Sequence, residues 1–283
     1  MRQRRTIRRE TVVPGIGLHT GLRSTITLQP ATPGEGLVAR FGGSAFQAVD
    51  SLRVLATDRC TRVEFDDGSN VDTVEHLFAA IAMAGISDIR ITFDSREAPI
   101  LDGSSLPWLD AIAAAGLLDL AGHADALLVT RPFEFSVRES SYRVVPGKLS
   151  LNVGIDFPGS AIGHQTIAVD GADIACLADS RTFVLEHEIE ALRAHGLALG
   201  GGLHNAVVIG SDGPINPEGF RHPDECVRHK ALDLVGDLLL AGCPIIGAFS
   251  VHRPGHASNS AFLKAMQSAG VLIRSDILQS RAA

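Results

Sequence analysis

The sequence is poor in cysteine, and its few cysteines are scattered. Its 283 residues include four of them, Cys60, Cys176, Cys226 and Cys243, and no two form a C-x-x-C pair. This spacing argues against a disulfide framework and against a zinc site built from thiolates. It is typical of a protein in a reducing compartment, so we expect a cytoplasmic location.

Long apolar runs and a general excess of positive charge are also missing. No apolar run reaches the roughly 18–20 residues of a membrane span, so no span is expected. The net charge of −7 and the sequence pI of about 5.9 argue against a nucleic-acid partner. The basic arm Arg2–Arg9 is the exception. It lacks the apolar stretch of a signal peptide and is typical of a solvated terminus.

Three common catalytic motifs are absent too. There is no H-E-x-x-H, which excludes a helix-borne metalloprotease site, and no G-x-S-x-G nucleophile elbow. A Walker phosphate-binding loop is missing as well. A catalytic site in this chain must be built in another way.

The apolar residues that are present, 45% of the chain, are sufficient for a sizeable core. Their spacing predicts helices at 74–84, 107–115, 185–195, 227–237 and 259–268. Strands are predicted at 6–30 (in two pieces split at 14–17, around a turn that carries His19, Thr20 and Gly21), 38–41, 62–65, 88–93, 127–130, 134–137, 142–145, 149–156 and 206–209. The stretch 116–126 is predicted to be a link.

Strands followed by helices occur twice in this order. This recurrence predicts an α+β protein of two domains, each with a mostly antiparallel sheet. We place the domains at 1–120 and 127–283, with the boundary near 118–127. No sequence repeat relates the halves; only the order of elements recurs.

The predicted helix 227–237 carries polar residues at an informative spacing. His229, Asp233 and Asp237 are each four residues apart, so in a helix they lie along one face. That face would offer an imidazole and a carboxylate to a single divalent cation. The alternative is a polar pair on the solvated surface of a helix.

The segment Asp72–His76 predicts the start of the first helix. Asp72 or Thr73 is a suitable N-cap, and a polar residue follows three positions later. Glu75 and His76 then lie in the first turn, about 100° apart, so they do not chelate one ion together. Glu75 is either a free carboxylate beside a ligand histidine or the second half of a capping box.

Together, His76, His229 and Asp233 form a set of two imidazoles and one carboxylate. Three protein ligands with an open fourth position are typical of a catalytic zinc site. Zinc lowers the pKa of bound water to about 7, and a neighbouring Glu75 would take the proton from the attacking water. The same set also suits iron(II).

A further histidine is a candidate for the same site. His256 lies in the Gly-containing segment Arg253–Asn259, which runs into the last predicted helix. It would act as a general acid, especially if Asp237 raises its pKa. The alternative is a loop histidine bonded to the backbone.

Two other polar residues are candidates with equally open alternatives. Lys230, next to His229, would stabilise an oxyanion or bind phosphate, or it is an exposed helix lysine. His19, within the Gly-rich segment Gly15–Gly21, is a candidate substrate contact or a turn residue.

Six short motifs occur in an order typical of one family. They are GIGLHTG at 15–21, TVEH at 73–76, ILDGS at 100–104, RTF at 181–183, VRHK…LD…GD at 227–237 and GHA at 255–257. The ordered set resembles the UDP-3-O-acyl-N-acetylglucosamine deacetylases, the zinc amidases of lipid A synthesis in Gram-negative bacteria. The resemblance runs from about Arg5 to Ser268.

The resemblance implies roles for the residues of the predicted site. His76, His229 and Asp233 match the family's zinc ligands, and Glu75 matches its catalytic base. His256 matches the histidine that assists protonation of the leaving group. Asp237 matches its carboxylate partner.

The resemblance also implies substrate contacts. Lys230 and Thr182 match residues at the scissile amide and its oxyanion. Phe183 matches a residue beside the acyl-chain passage, which the apolar positions of 184–199 would line. His19 and Arg253 match positions near the sugar–nucleotide end.

The fold implied by the resemblance has helices packed between two sheets, with the site at the domain junction and a second insert near 182–206. The implied activity is hydrolysis of the N-acetyl group of an acylated UDP-sugar, with release of acetate. We expect a monomer.

The chain departs from the family pattern at three places: 201–205, the strand position now held by Ser150 with Lys148 nearby, and 157–173. None of them includes a predicted ligand or the predicted base. Two alternatives therefore stay open: a non-catalytic sugar–lipid sensor that kept the fold, and a hydrolase of another N-acyl sugar.

Overall fold

Five α-helices and twenty β-strands form the regular structure of residues 2–275 without 56 and 58, the residues that the computed structural model describes. The helices are α1 (Glu75–Ala84), α2 (Leu106–Ala115), α3 (Ile189–Ala194), α4 (Glu225–Leu239) and α5 (His256–Ser268). The first strands are β1 (Gln3–Ile7), β2 (Thr11–Ile16), β3 (Arg23–Pro30), β4 (Leu37–Phe41), β5 (Gln47–Ala48), β6 (Arg53–Leu55), β7 (Arg62–Glu64), β8 (Asn70–Val71), β9 (Ile89–Phe93) and β10 (Leu117–His123). The later strands are β11 (Leu127–Val129), β12 (Phe133–Val137), β13 (Ser140–Val145), β14 (Ser150–Phe157), β15 (Gly163–Asp170), β16 (Phe183–Leu185), β17 (Val207–Ile209), β18 (Ile245–Ile246), β19 (Ala248–His252) and β20 (Leu272–Arg274).

Two five-stranded sheets with the same topology dominate the fold. Their strand orders are β2-β3-β9-β4-β5 and β12-β13-β19-β14-β15. In each sheet one pair is parallel, β4 with β9 and β14 with β19, and the other pairs are antiparallel. The predicted α+β class with mostly antiparallel sheets is confirmed, and the recurring order of elements becomes a recurring sheet topology. The predicted boundary near 118–127 stays a prediction.

Helices α1 and α4 connect the two halves. Residues of α1 share a hydrophobic cluster with the first large sheet, and residues of α4 share a second cluster with the other large sheet. Each helix also contributes to the cluster of the other half: Ala79 of α1 belongs to the second cluster, and Leu239 of α4 belongs to the first. The helices therefore lie between the sheets and contact each other.

A glycine permits the close approach of these helices. A β-carbon on Gly236 of α4 would lie 2.0 Å from the carbonyl oxygen of Glu75, the first residue of α1. Any side chain at this position would push the helices apart. Gly236 thereby places the first turn of α1 beside the middle of α4.

The strand break predicted at 14–17 is wrong, because β2 runs on to Ile16, whereas the turn predicted at 19–21 does connect β2 and β3. Pro14 is paired with Thr25 and Gly15 with Ser24 of β3. The strand lies at the edge of its sheet, where the missing amide hydrogen of a proline breaks no ladder.

The link predicted at 116–126 contains a strand. β10 pairs antiparallel with β1, and Arg5 Nε donates to Asp119 Oδ1 at 2.9 Å. Most side chains of β10 are exposed, so the segment lacks the apolar alternation that marks a strand. Its partner lies more than a hundred residues earlier, beyond the reach of local patterns.

The helix predicted at 185–195 is shorter. Its first residue, Leu185, is the last residue of β16, which pairs in parallel with β17, and a 3₁₀ turn follows at Glu186–Glu188. The helix α3 begins only at Ile189, because the backbone of residues 183–185 is hydrogen-bonded to β17.

The start of α5 also differs from the sequence prediction, and several strands were not predicted, among them β15 and the central strand β19. α5 begins at His256 rather than at 259, because Gly255 N–H donates to Ser258 Oγ (3.0 Å) and caps the helix there. His256 is therefore a first-turn residue. The strand β15 was not predicted because its alternate residues are exposed at a sheet edge.

Helices long and apolar enough for a membrane crossing do not occur in the described part of the chain.

Candidate metal centre

Three buried side chains from two helices direct their ligand atoms at one another. His76 lies in the first turn of α1, and His229 and Asp233 lie one turn apart on α4. One ligand atom of each lies within 4.8 Å of the other two. Asp233 Oδ1 is 3.3 Å from His229 Nε2 and 3.6 Å from His76 Nε2. The structure thus brings together the three residues predicted to bind a metal.

His229 is held as a neutral imidazole with a free Nε2. Its Nδ1 lies 3.0 Å from the carbonyl oxygen of Ser180, so Nδ1 carries the hydrogen and donates it. Burial lowers the pKa of His229 to about 3, although Asp233 opposes the shift. The neutral form is the one that binds metals. His76 has no such anchor, because its Nδ1 finds no hydrogen-bond partner among the described residues.

Asp233 offers the third ligand as an ionised carboxylate. Burial works against this charge, but neighbouring cationic groups, above all the Lys230 ammonium, outweigh it and hold the pKa of Asp233 well below its usual range. Oδ2 accepts from Lys230 Nζ at 2.6 Å, whereas Oδ1 is buried without a hydrogen-bond partner in the described part of the chain. An unpartnered anionic oxygen facing two imidazole Nε2 atoms fits a divalent cation.

A second group of charged side chains adjoins these ligands. His256 Nε2 lies 3.8 Å from Glu75 Oε1 and 3.7 Å from Asp233 Oδ2. On the other side of the ring, His256 Nδ1 lies 3.2 Å from Asp237 Oδ2. Asn259 Nδ2 donates to the same Asp237 oxygen at 2.8 Å. Asp237, the last residue of the α4 face, therefore contacts His256.

The pKa values of this group follow from burial and from mutual attraction. Burial of Glu75 raises its pKa, against the opposing pull of His256 and His76. Burial of His256 favours its neutral form, but the carboxylates of Glu75, Asp237 and Asp233 outweigh it and raise the pKa to about 9. Protonated His256 therefore lies beside a carboxyl group that accepts protons more readily than usual.

A cavity of about 310 Å³, mostly apolar but lined also by Arg59, Glu186 and Arg193, lies near the ligands without including any of them. Phe183 lies between the cavity and the ligand cluster. Its ring lines the cavity and is 6.2 Å from the His229 ring and 5.7 Å from Lys230 Nζ. His19 and Thr182 line the cavity as well. Its apolar wall consists mainly of Leu18, Val184, Ile189, Leu192, Ala198, Leu203, Ala206, Val208 and Ile215. Several of these residues fall in the segment 184–199.

Thr182 and Phe183 are positioned by a buried ion pair. The preceding Arg181 donates through Nε to Glu225 Oε1 at 2.8 Å, and its backbone N–H donates to the same oxygen at 3.0 Å. Both side chains are almost fully buried. Since Glu225 begins α4, this pair ties the segment 181–183 to the helix that carries His229.

Arg253 lies apart from the ligand cluster. Its guanidinium forms an ion pair with Glu139 Oε2 at 2.8 Å, and its backbone N–H donates to the Gly154 carbonyl at 2.7 Å. Ser140 Oγ donates to its carbonyl oxygen. These contacts place Arg253 at the end of β19, just before the first turn of α5.

Glu97 is a buried residue that the sequence reasoning missed. It accepts the backbone N–H groups of His19 (2.7 Å) and Thr20 (2.8 Å) and the hydroxyl groups of Thr20 and Thr73. It thus ties the 15–21 segment to the residue two positions before Glu75. The only signal in the sequence was a single carboxylate directly before the apolar residues Ala98–Ile100.

Comparisons with known proteins are consistent with this geometry. Residues 4–268 match the family described as UDP-3-O-acyl N-acetylglycosamine deacetylase. A protein named UDP-3-O-acyl-N-acetylglucosamine deacetylase from Neisseria gonorrhoeae is 38% identical over 273 residues, 93% of this chain and 89% of the relative. Proteins of the same name from Phenylobacterium zucineum (38% over 269 residues, 92% of both chains) and Syntrophotalea carbinolica (35% over 260 residues, 90% of this chain and 84% of the relative) are also similar.

Proposed function

The chain belongs to the family of UDP-3-O-acyl-N-acetylglucosamine deacetylases, and we propose that the cluster of His76, His229 and Asp233 is the metal centre of this activity. The activity is hydrolysis of the N-acetyl amide of UDP-3-O-acyl-N-acetylglucosamine, with release of acetate, in lipid A biosynthesis. The observation that carries the proposal is the convergence of three buried ligand atoms within 4.8 Å, beside a carboxyl group and a protonated imidazole.

We propose zinc as the metal, held by the two Nε2 atoms and Asp233 Oδ1. When bound, zinc supplies Lewis-acid chemistry, because it lowers the pKa of water and polarises a carbonyl group. The neutral state of His229 and the unpartnered Asp233 oxygen support this assignment. A set of two histidines and one carboxylate also accommodates iron(II), so metal analysis of the purified protein decides between them.

Glu75 is proposed as the general base. It takes a proton from the water whose oxygen attacks the acetyl carbonyl carbon. Burial raises its pKa, which makes the carboxylate a stronger base than an exposed glutamate. Lys230 and Thr182 are proposed to stabilise the oxygen that gains negative charge. Lys230 Nζ, 2.6 Å from Asp233 Oδ2, is a cation within reach of the ligands.

His256 is proposed as the general acid. Its Nε2 faces the Glu75 and Asp233 side, and its pKa of about 9 keeps it protonated at neutral pH. The imidazolium donates a proton to the amide nitrogen as the C–N bond breaks, and the products are acetate and the free amine. Asp237 stabilises the charged ring from its other side.

The substrate is proposed to bind with its acyl chain in the apolar cavity next to Phe183. His19 lines that cavity, whereas Arg253 is proposed to lie near the sugar–nucleotide end. The dimensions and apolar wall of the cavity support the acyl assignment. A Phe183→Ala variant should raise KM for the acylated substrate more than for a short-chain analogue.

An assay of acetate release tests the function. We expect turnover of the acylated UDP-N-acetylglucosamine and little turnover of N-acetylglucosamine without the UDP group. Binding without turnover would indicate a sensor. Faster turnover of the sugar without UDP would indicate a hydrolase of another N-acyl sugar.

A cytoplasmic monomer is proposed as the form of the protein. The four cysteines are free, and three of them are buried, which suits a reducing compartment. Sedimentation equilibrium tests the monomer directly.

A further inference from the structure

Thr61, directly before β7, is buried among three charged residues of the site. It is 2% exposed and belongs to the loop that leads into the small sheet β6-β7-β8. Glu75, Asp237 and His256 come from α1, α4 and α5. A single residue from a fourth element thus contacts the carboxyl group, the imidazole and the second carboxylate.

The hydroxyl group of Thr61 has a defined role in this contact. It donates its hydrogen to Asp237 Oδ1, because an ionised carboxylate accepts only. Thr61 Oγ1 also lies 3.1 Å from His256 Nδ1. Since the hydroxyl hydrogen is directed at Asp237, Oγ1 accepts from the Nδ1–H group. His256 Nδ1 is therefore fixed as a donor between Thr61 Oγ1 and Asp237 Oδ2.

The backbone of Thr61 orients the third group. Its N–H donates to Glu75 Oε2 at 3.0 Å. This bond turns the other oxygen, Oε1, toward His256 Nε2 at 3.8 Å. His256 Nε2 and Glu75 Oε1 thus face the metal ligands. The other polar atom of each side chain, His256 Nδ1 and Glu75 Oε2, is hydrogen-bonded to Thr61.

We propose that Thr61 is a positioning residue for the hydrolysis, which aligns the proton-accepting Glu75 and the proton-donating His256 toward one substrate amide. The proposal rests on the proposed function of the site. The hydroxyl acts through His256 and Asp237, and the backbone N–H acts through Glu75. Thr61 itself touches neither the ligand atoms nor the cavity beside Phe183.

The test compares Thr61→Val with Thr61→Ser in the full-length protein. Valine keeps the branched shape and the backbone N–H but removes the hydroxyl; serine keeps the hydroxyl. Valine is preferable to alanine because a cavity of about 430 Å³ adjoins Thr61, Asp237 and His256, and a smaller side chain would admit water. We expect the valine variant to lose about 10–100-fold in kcat, as is typical when an orienting hydrogen bond is removed from a catalytic group.

A positioning role predicts a specific pattern across the other measurements. KM and the metal content of Thr61→Val should stay within about twofold of wild type, and Thr61→Ser should recover most of kcat. Thr130→Val is the matched control, because it removes a hydroxyl bonded to the Val271 carbonyl away from the site. It should leave kcat unchanged.

Three results would overturn the proposal: wild-type kcat in Thr61→Val, a serine variant as impaired as the valine variant, or a loss of metal that accounts for the loss of rate. If the valine variant does not fold, Thr61→Cys replaces it, because a thiol is a weak hydrogen-bond group. Wild-type kcat in the cysteine variant then overturns the proposal. Failure of the proposed function is distinct, because wild-type protein would itself release no acetate.

Discussion

Gly236 of α4 lies directly against the carbonyl oxygen of Glu75, the first residue of α1. A β-carbon at position 236 would lie 2.0 Å from that oxygen and 2.8 Å from the carbonyl carbon, both of them backbone atoms that cannot rotate away. The contact sets the distance between the helix that carries His76 and the helix that carries Asp233. The geometry of the ligand cluster therefore depends on the absence of a side chain at one position.

Gly236→Ala should separate α1 from α4. We expect lower metal affinity and a loss of about 1–3 kcal/mol in the free energy of unfolding, typical of overpacking a dense interior. Metal titration and urea denaturation measure the two effects. Gly43→Ala is the control, because a β-carbon there meets no atom within 4 Å. Equal metal affinity in Gly236→Ala and wild type would refute the role of the helix contact.

Glu225→Gln should destabilise the protein strongly. The change removes the fully buried ionic partner of Arg181, whose side chain is only 2% exposed, and leaves it with the half-exposed Glu218. We expect a loss of about 3 kcal/mol or more in the free energy of unfolding. Glu188→Gln is the matched control, because its ion pair with Arg59 is partly exposed to solvent and contributes about 0–1 kcal/mol. Similar losses in both variants would contradict this expectation.

His256 should titrate near pH 9 in the metal-free protein. Burial opposes its charge, but the three neighbouring carboxylates raise the pKa to about 9, above the usual value of 6.5. Its ion pairs therefore stabilise the fold fully below about pH 6.5, and this contribution is lost as the pH rises through about 9. NMR titration of the imidazole measures the pKa directly.

Asp237→Asn should lower that pKa of His256, because it removes the carboxylate 3.2 Å from Nδ1. Asp170→Asn, at an exposed sheet edge, is the control and should leave the titration unchanged. A wild-type pKa at or below 6.5 would show that the carboxylates do not outweigh burial.

Glu97→Ala should weaken substrate binding by releasing the 15–21 segment. The change leaves the buried N–H group of His19 without its acceptor, which costs about 1–3 kcal/mol, and also frees the partly buried N–H group of Thr20. We expect KM to rise more than kcat falls, because the affected segment carries His19 rather than a metal ligand. Glu35→Ala, which removes a carboxylate that accepts from Thr32 and Arg90 away from the site, is the control. An unchanged KM in Glu97→Ala would contradict the anchoring role.

The helix-borne part of the site could be predicted because helical periodicity is local. His229 and Asp233 lie one turn apart on α4, so their common face follows from their spacing. Glu75 and His76 lie in the first turn of α1 as predicted, but the capping prediction is wrong, because the N-cap is Val74 rather than Asp72 or Thr73 and no side-chain capping bond is formed. Their meeting with α4 depends on Gly236, which in the sequence looks like any other helix glycine.

The remaining contacts were beyond sequence reasoning because they are long-range. Thr61 and Glu97 lie outside the helices, and their partners are determined by how the small sheet and the 15–21 segment pack on α1. The strands β10 and β15 were missed for a related reason. Both lie at sheet edges with exposed side chains, so pairing rather than an apolar pattern makes them strands.

The most direct test of the metal centre and its base is the rate of acetate release by Glu75→Ala, measured together with its bound metal. We predict wild-type metal content and loss of most activity, because Glu75 accepts a proton but holds no metal. His229→Ala should lose both metal and activity. A Glu75→Ala protein that releases acetate at the wild-type rate would contradict the assignment.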